Sequence, residues 1–439
     1  MIAKNLERLK SVVYQRKISE FSGNVLKLAG GTAFGQGLVI ISTPLITRLY
    51  SPSEMGLLGI FLAFVGSISV GVGLRYEIAI VSAKNDREAD HLLVASIIFA
   101  FPLSLLAGLT LWYLIHHDLL SYGSLPEWSA VVSIVALLLI GFLSPLRYWH
   151  ARHSNFSTVS RALILQGSGR AVVPVVFALG QTGWIGLLSG EIAGRVFAVI
   201  KLIRSALPTI RTTILTMNRV YSCSILKKNW KFPVIVLPAS IIDALVVMLP
   251  LPVIGFFFGT EAAGQFLLVQ RISQLPAGLV SASVGDVFYA HISEAYRSDT
   301  QQIRKILWTV VKKLSLLSSL VYIPLAVAAP FVFELFFGHE WSDTGLLVSI
   351  LAPVGFVGMV VSPVSRVLFV VDRTELKLIS DCIRLIVPLG GLWCMYALGY
   401  NFLYSVTVFS LLSTLSYMLY LWLVWFVSGD HHQVHKSGL

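Results

Sequence analysis

The chain is 439 residues long, 56% apolar and only 13% charged, with a mean hydropathy of +0.79. Soluble domains average about 25% charged residues, so this composition excludes one and implies a membrane as solvent. The formal net charge of +11 would suggest nucleic acid as partner in a soluble protein; here basic loops facing anionic membrane lipids account for it, and no nucleic-acid partner is expected.

Residues 1–23 set Leu6, Leu9, Val12 and Val13 among Lys4, Arg8, Lys10, Arg16 and Lys17, which suits a cytoplasmic segment lying on the membrane. Its charge, and the length of the apolar run that follows, do not fit a cleavable signal peptide. Six apolar stretches come next, at 24–48, 55–81, 90–114, 128–149, 158–180 and 184–204. A basic connection over 205–231 leads to six more, at 232–257, 263–290, 306–330, 344–370, 377–398 and 402–427, and then to a tail over 428–439. Each stretch is near or above the roughly 20 residues that cross a bilayer as a helix. The expected fold is an all-α polytopic membrane protein of about 12 transmembrane helices in two pseudo-symmetric six-helix bundles around a central cleft. Its amino-terminal lobe covers 24–204, a cytoplasmic linker 205–231, its carboxy-terminal lobe 232–427 and a cytoplasmic tail 428–439.

With the amino terminus inside, the inner segments and adjoining helix ends hold 26 of the 33 Lys and Arg, while the outer turns hold only Arg48. The positive-inside rule then puts both termini in the cytoplasm. The longest outer turn runs from Ile115 to Glu127, too short for a folded catalytic domain, which argues against a membrane polymerase or ligase. The linker mixes Ile210, Ile214, Leu215 and Met217 with basic residues, and reads either as an interfacial helix or as a plain charged connection. Cys223, Cys382 and Cys394 have no metal-ligand spacing and imply no disulfide framework. No enzyme constellation, metal site or cofactor motif stands out.

The two halves echo one another. Pro44 and Gly56 match Pro252 and Gly264 at a lag of 208; Glu127–Ser129 matches Glu340–Ser342 at 213; Arg170–Pro174 matches Arg384–Pro388 at 214. An even number of helices per half gives both halves the same orientation, related by an axis along the membrane normal, a plan found in transporters.

The stretch from Thr47 to Leu93, with its turn LYSPSEMG, its LRYEIAI and the charged loop that follows, resembles the first third of bacterial Wzx-type polysaccharide flippases. These belong to the multidrug/oligosaccharidyl-lipid/polysaccharide exporter superfamily. The resemblance implies an alternating-access flippase, not an enzyme, that moves undecaprenyl-diphosphate-linked oligosaccharide from the inner to the outer leaflet. The implied setting is O-antigen or lipopolysaccharide synthesis, with membrane lipids and the glycan polymerase machinery as further partners. By helix position, the related peptidoglycan-precursor flippases suggest Arg48, Arg75 and Arg271 as cavity residues. The alternative is a multidrug or other small-cation exporter of the same superfamily, whose cavity should be acidic.

Charges within the spans carry the chemistry, because each costs roughly 2.5–3.5 kcal/mol at mid-helix on insertion scales. Six arginines lie there, Arg75, Arg170, Arg195, Arg271, Arg366 and Arg384, with the acids Glu77, Glu191, Asp243, Asp286 and Asp381. Arginine suits a diphosphate because its planar fork stays charged and bonds phosphate oxygens in pairs. Arg271, Arg170, Arg195, Arg75, Arg48 and Arg384 are therefore the candidate substrate-binding residues, and Asp243 and Glu191 the candidates for H+ or Na+ coupling. Local pairing is the competing account for Glu191 with Arg195 and for Asp381 with Arg384. Arg75 and Glu77, two apart, cannot share a helix face, and Arg271 has no acid one turn away. Glycines 30, 31, 35 and 37, and the stripe Gly186, Gly190 and Gly194, read as close helix packing rather than as a phosphate loop. Seven of the ten prolines of the second half, among them Pro233, Pro238 and Pro276, read as hinges or static kinks.

Overall fold

A computed structural model describes residues 28, 30–298, 301–371 and 373–428. The expectations for residues 1–23 and for the tail beyond Ser428 lie outside these, as does the side chain of Asp286. Among the described residues every regular element is helical, as lipid demands, since a helix satisfies its own backbone polar groups.

The first half contains α1 (30–49), α2 (Pro52–Ser69), α3 (Tyr76–Ser82), α4 (Asp86–His116), α5 (Ser129–Arg152), α6 (Phe156–Ala178) and α7 (Trp184–Leu215). After α8 (Arg219–Lys228) come α9 (Leu237–Met248), α10 (Pro250–Ser298), α11 (Gln301–Phe337), α12 (Thr344–Val364), α13 (Val367–Val370), α14 (Thr374–Ala397) and α15 (Phe402–Val427). Among the described residues, eight helices are long and apolar enough to cross a membrane by length and composition. One of these runs through the seventh and eighth predicted stretches, which are divided by a single residue, Gly259 at φ 87°. Left-handed backbone of that kind favours glycine, so the chain reverses there without a loop. Local side chains fix several starts: Ser51 and Glu54 form a reciprocal capping box on α2, and Asn85 and Asn401 cap α4 and α15.

Two expected spans are broken. The second stops at Ser69 and resumes at Tyr76, with Leu74 and Arg75 at φ 53° and 61°. The tenth breaks at Ser365 and Arg366 between α12 and α13. The stretch 205–231 is largely helical rather than a plain connection: α7 continues to Leu215, and α8 docks on α4. That docking uses Lys228 on Glu88 at 2.6 Å, His91 with Ser222 at 3.0 Å, and Arg87 over the Tyr221 ring.

The halves meet through a reciprocal contact at the end assigned to the outside. A Cβ added to Gly56 would lie 1.8 Å from the Thr260 carbonyl oxygen, and one added to Gly264 would lie 1.8 Å from that of Pro52. Positions 52 and 56 of α2 thus face their own repeat equivalents, 260 and 264 of α10, as a two-fold axis between the helices requires. Two flanking contacts also join the halves: Ser121 donates to the Pro252 carbonyl and packs beside Gly255, and Trp341 donates to the carbonyl of Thr47.

One apolar core fills this outer half and draws on both bundles, from Met55, Phe61 and Leu188 to Leu267, Val269 and Trp341. Toward the inner end it gives way to two. One holds Ile80, Leu92, Trp149 and Ala198 of the first bundle; the other holds Phe288, Leu307, Val361 and Val424 of the second. The bundles share one core at the end assigned to the outside and have separate cores at the other, where residues 232–236 still touch α3.

Candidate functional site

The apex of the cleft lies where the shared core ends. On α7, Leu188 belongs to the outer core and Ala198 to the inner one, and Glu191 and Arg195 fall between them. On α10, Arg271 follows Val269, the last residue of that helix in the outer core. Glycine packing brings α6 to this level: a Cβ at Gly190 would sit 2.5 Å from the Pro174 ring, and one at Gly194 2.5 Å from the Gln166 carbonyl. The small-residue stripe is therefore a packing device, and it places Arg170 beside α7.

Glu191, 6% exposed in its side chain, collects three guanidinium groups. Arg170 donates from Nε to Oε1 at 2.8 Å, and Arg195 Nη1 lies 3.1 Å from Oε2 while also donating to the Glu191 backbone carbonyl. Arg271 approaches from the opposite bundle, its Nη2 at 3.6 Å from Oε1, buried and without a hydrogen-bond partner. Three arginines against one carboxylate leave a surplus of two positive charges, with Arg170 and Arg271 24% and 22% exposed. A surplus of that kind at the edge of an apolar core favours an anionic ligand.

The second cluster, in the carboxy-terminal bundle, is balanced. Arg384 contacts Asp381 at 2.8 Å and Asp243 at 3.9 Å, donates to the Tyr417 hydroxyl at 2.6 Å and stacks on that ring; Lys377 bonds the other oxygen of Asp381. Among the described residues two cations meet two acids there. Lys377, which opens the eleventh apolar stretch in the sequence, lies inside α14 with its side chain 15% exposed. Tyr417 has no sequence signal of its own, because only the packing of α15 on α14 brings it there.

The remaining candidates separate. Arg75 caps α3 in left-handed conformation and lies 3.8 Å from Glu77. The expectation that these two cannot meet assumed an unbroken helix, and the break at Leu74 and Arg75 removes that premise. Arg48 is exposed at the outer rim, where it donates to the Leu335 carbonyl at 2.7 Å across the two bundles. Arg271 is paired with Glu191 of the other bundle, while Asp243 lies with Arg384. Glu191 is held by three cations and Asp243 is 57% exposed beside one. Among the described residues no group of three His, Cys, Asp or Glu could hold a metal ion.

Residues 45–345 match the family model described as polysaccharide biosynthesis protein. The teichuronic acid biosynthesis protein TuaB of Bacillus subtilis is 25% identical over 203 residues, which are 46% of this chain and 41% of that relative, so the match spans less than half of TuaB. In fold, the chain is similar to an inward-facing multidrug-resistance MATE transporter of the MOP superfamily. That likeness has a TM-score of 0.66 at 15% identity and covers 93% of this chain and 99% of the other. The outward-facing form of such a transporter scores 0.61 at 16% identity, over 92% and 94%. A Pyrococcus furiosus MOP-superfamily transporter, described as having a binding pocket of reverse polarity, scores 0.63 at 15% identity over 92% and 94%. The protein is thus an all-helical, multi-pass membrane protein with the fold of these transporters.

Proposed function

The chain belongs to the polysaccharide biosynthesis protein family, and on that footing we propose that it is a flippase for undecaprenyl-diphosphate-linked oligosaccharide, carrying the repeat unit from the inner to the outer leaflet of the bacterial cytoplasmic membrane. The observation that carries this reading is the surplus of two positive charges where Arg170, Arg195 and Arg271 surround Glu191. A diphosphate brings about two negative charges and acceptor oxygens for each guanidinium fork.

The cluster is built from both bundles, so its occupancy bears on how they rock. Arg271 reaches across from α10 to the acid on α7, and the three guanidiniums repel one another whenever Glu191 is their only counterion. A bound diphosphate neutralises that repulsion and draws the bundles together around the head group, with the glycan in the wet cleft and the polyprenyl tail in lipid. Outward movement of two negative charges is then favoured by roughly 2.3 kcal/mol per charge per 100 mV at an inside-negative potential. A lobe at 24–204 and another at 232–427 move about the outer contact. The glycan polymerase machinery outside the membrane receives the product.

Deleting the gene tests this. Lipid-linked repeat units should accumulate in the inner leaflet, shielded from an impermeant periodate reagent in intact cells and exposed once the cells are opened. Normal outer-leaflet units in the deletion strain contradict the assignment.

A further inference from the structure

The end of α11 assigned to the cytoplasm carries four exposed cations, Arg304, Lys305, Lys312 and Lys313, and no acid follows them on that helix before Glu334. The adjacent α15 holds no Asp, Glu, Lys or Arg. Among the described residues none of the four cations has an ion-pair partner, and the cluster around Glu191 does not use them.

Two of the four are set against tryptophans. The Arg304 guanidinium lies over the Trp425 ring at 5.5 Å and the Lys312 ammonium over the Trp308 ring at 5.2 Å, while the two indoles meet edge to face with centroids 5.6 Å apart. Residues 304, 308 and 312 are each about one turn apart and share a face of α11. Lys312 leans back along the helix, toward its start, and so carries its charge to the level of Trp308. The result is a shelf of two cations on two indoles that spans α11 and α15.

What continues from the shelf identifies its ligand. The same side of α11 runs on into Leu316 and Leu320, 75% and 73% exposed, while the opposite side, with Leu307, Val311 and Leu314, is buried in a core shared with Val361 of α12 and Val424 of α15. On a helix long enough to span a bilayer, such an exposed apolar stripe faces hydrocarbon, so the shelf stands at the interface where the stripe begins. Indoles, with an apolar body and a polar N–H, suit the same boundary. A soluble anion would use the cations and leave the stripe idle; a phospholipid uses both, its phosphodiester at Arg304 and Lys312 and an acyl chain along Leu316 and Leu320.

We propose that this shelf is a binding site for an anionic glycerophospholipid of the inner leaflet. The headgroup must carry net negative charge, because the ammonium of phosphatidylethanolamine cancels its phosphate and meets Arg304 and Lys312 as a like charge. A surface cation strengthens the binding of acidic lipid about fivefold, so the two together favour phosphatidylglycerol by roughly thirtyfold. Every contact comes from the second bundle, so the lipid rides with that bundle, and the site stands whether or not the transported substrate is a lipid-linked glycan.

The test places photoreactive benzoylphenylalanine at Leu316 of the full chain, in vesicles of equal parts phosphatidylglycerol and phosphatidylethanolamine, and weighs the crosslinked lipid by mass spectrometry. Phosphatidylglycerol adducts should exceed phosphatidylethanolamine adducts by that margin, and Arg304→Gln combined with Lys312→Gln should bring the two level. The same photoreactive residue at Phe331, exposed toward the other end of α11, should show no preference; if the double variant fails to assemble, the contrast between these two positions decides. Equal adducts at Leu316 in the otherwise unmodified protein, or a preference that survives the double variant, overturn the proposal. Displacement of the lipid by added inorganic phosphate makes the shelf a site for soluble anions and overturns it as well. Adducts from native membranes that carry a polyprenyl diphosphate instead of a phospholipid assign the shelf to the transported lipid, which contradicts the proposal and leaves the flippase reading intact.

Discussion

Replacing Arg271 by alanine removes the one guanidinium that the carboxy-terminal bundle contributes to the apex. Its Nη2 stands 3.6 Å from Glu191 Oε1, outside hydrogen-bond range, whereas Arg170 and Arg195 hold that carboxylate at 2.8 and 3.1 Å. The acid keeps two cations after the change, so the fold should persist and the protein should reach the membrane at its usual level. The loss falls on the ligand: a charge-assisted hydrogen bond is worth about 1.5–3 kcal/mol, which is roughly a ten- to hundredfold drop in diphosphate affinity. Calorimetry with inorganic pyrophosphate on the purified protein reads this directly, and surface glycan display gives the cellular counterpart. Arg271→Lys should fall between, because an ammonium restores the charge but not the paired donors. Unchanged pyrophosphate affinity and full glycan display in Arg271→Ala refute the reasoning. Disappearance of the variant from the membrane shows instead that the arginine's work is to hold Glu191.

Glu191→Gln leaves three half-buried guanidiniums without an anion and should cost up to about 3 kcal/mol of stability; thermal unfolding should recover with pyrophosphate, and a variant as stable as the parent refutes the cluster's charge balance. Gly264→Ala drives a methyl into the Pro52 carbonyl and should part α2 from α10 at the outer end, so that a cysteine at Leu267, now 5% exposed, becomes reactive to an impermeant thiol reagent from outside. Persistent protection of that cysteine removes the glycine pair from the outer seal. For orientation, cysteines at His117 and Asp343 should label in intact cells, and the exposed Cys223 should label only after the membrane is opened. Labelling of Cys223 in intact cells inverts the topology.

The twelve apolar stretches were legible because bilayer thickness sets a helix length that any sequence must meet. The repeat was legible as well, and Gly56 with Gly264 shows why: where two helices cross on the axis, neither can carry a side chain, so both halves keep glycine at the same place. Interruptions were harder to read. The break at Leu74 and Arg75 sits in an apolar run whose composition does not mark it, and it overturned the argument that Arg75 and Glu77 point apart. Partners across bundles were out of reach, because spacing along one helix says nothing about a carboxylate 80 residues away. Arg271 and Glu191 meet only through the crossing of α10 on the first bundle. Local pairs fared better: Asp381 with Arg384, and Glu191 with Arg195, are both formed.

The central claim is tested most directly by purified protein in sealed vesicles carrying a fluorescent undecaprenyl-diphosphate disaccharide in one leaflet. An impermeant quencher added outside reports which leaflet holds the label, and ethidium efflux from the same vesicles reports small-cation export. The account predicts that the lipid-linked sugar changes leaflet, faster with the potential negative on the side it leaves, and that Arg271→Ala abolishes the movement while ethidium stays where it is. Export of ethidium with the lipid-linked sugar left in its leaflet would contradict it and make the protein a small-cation exporter.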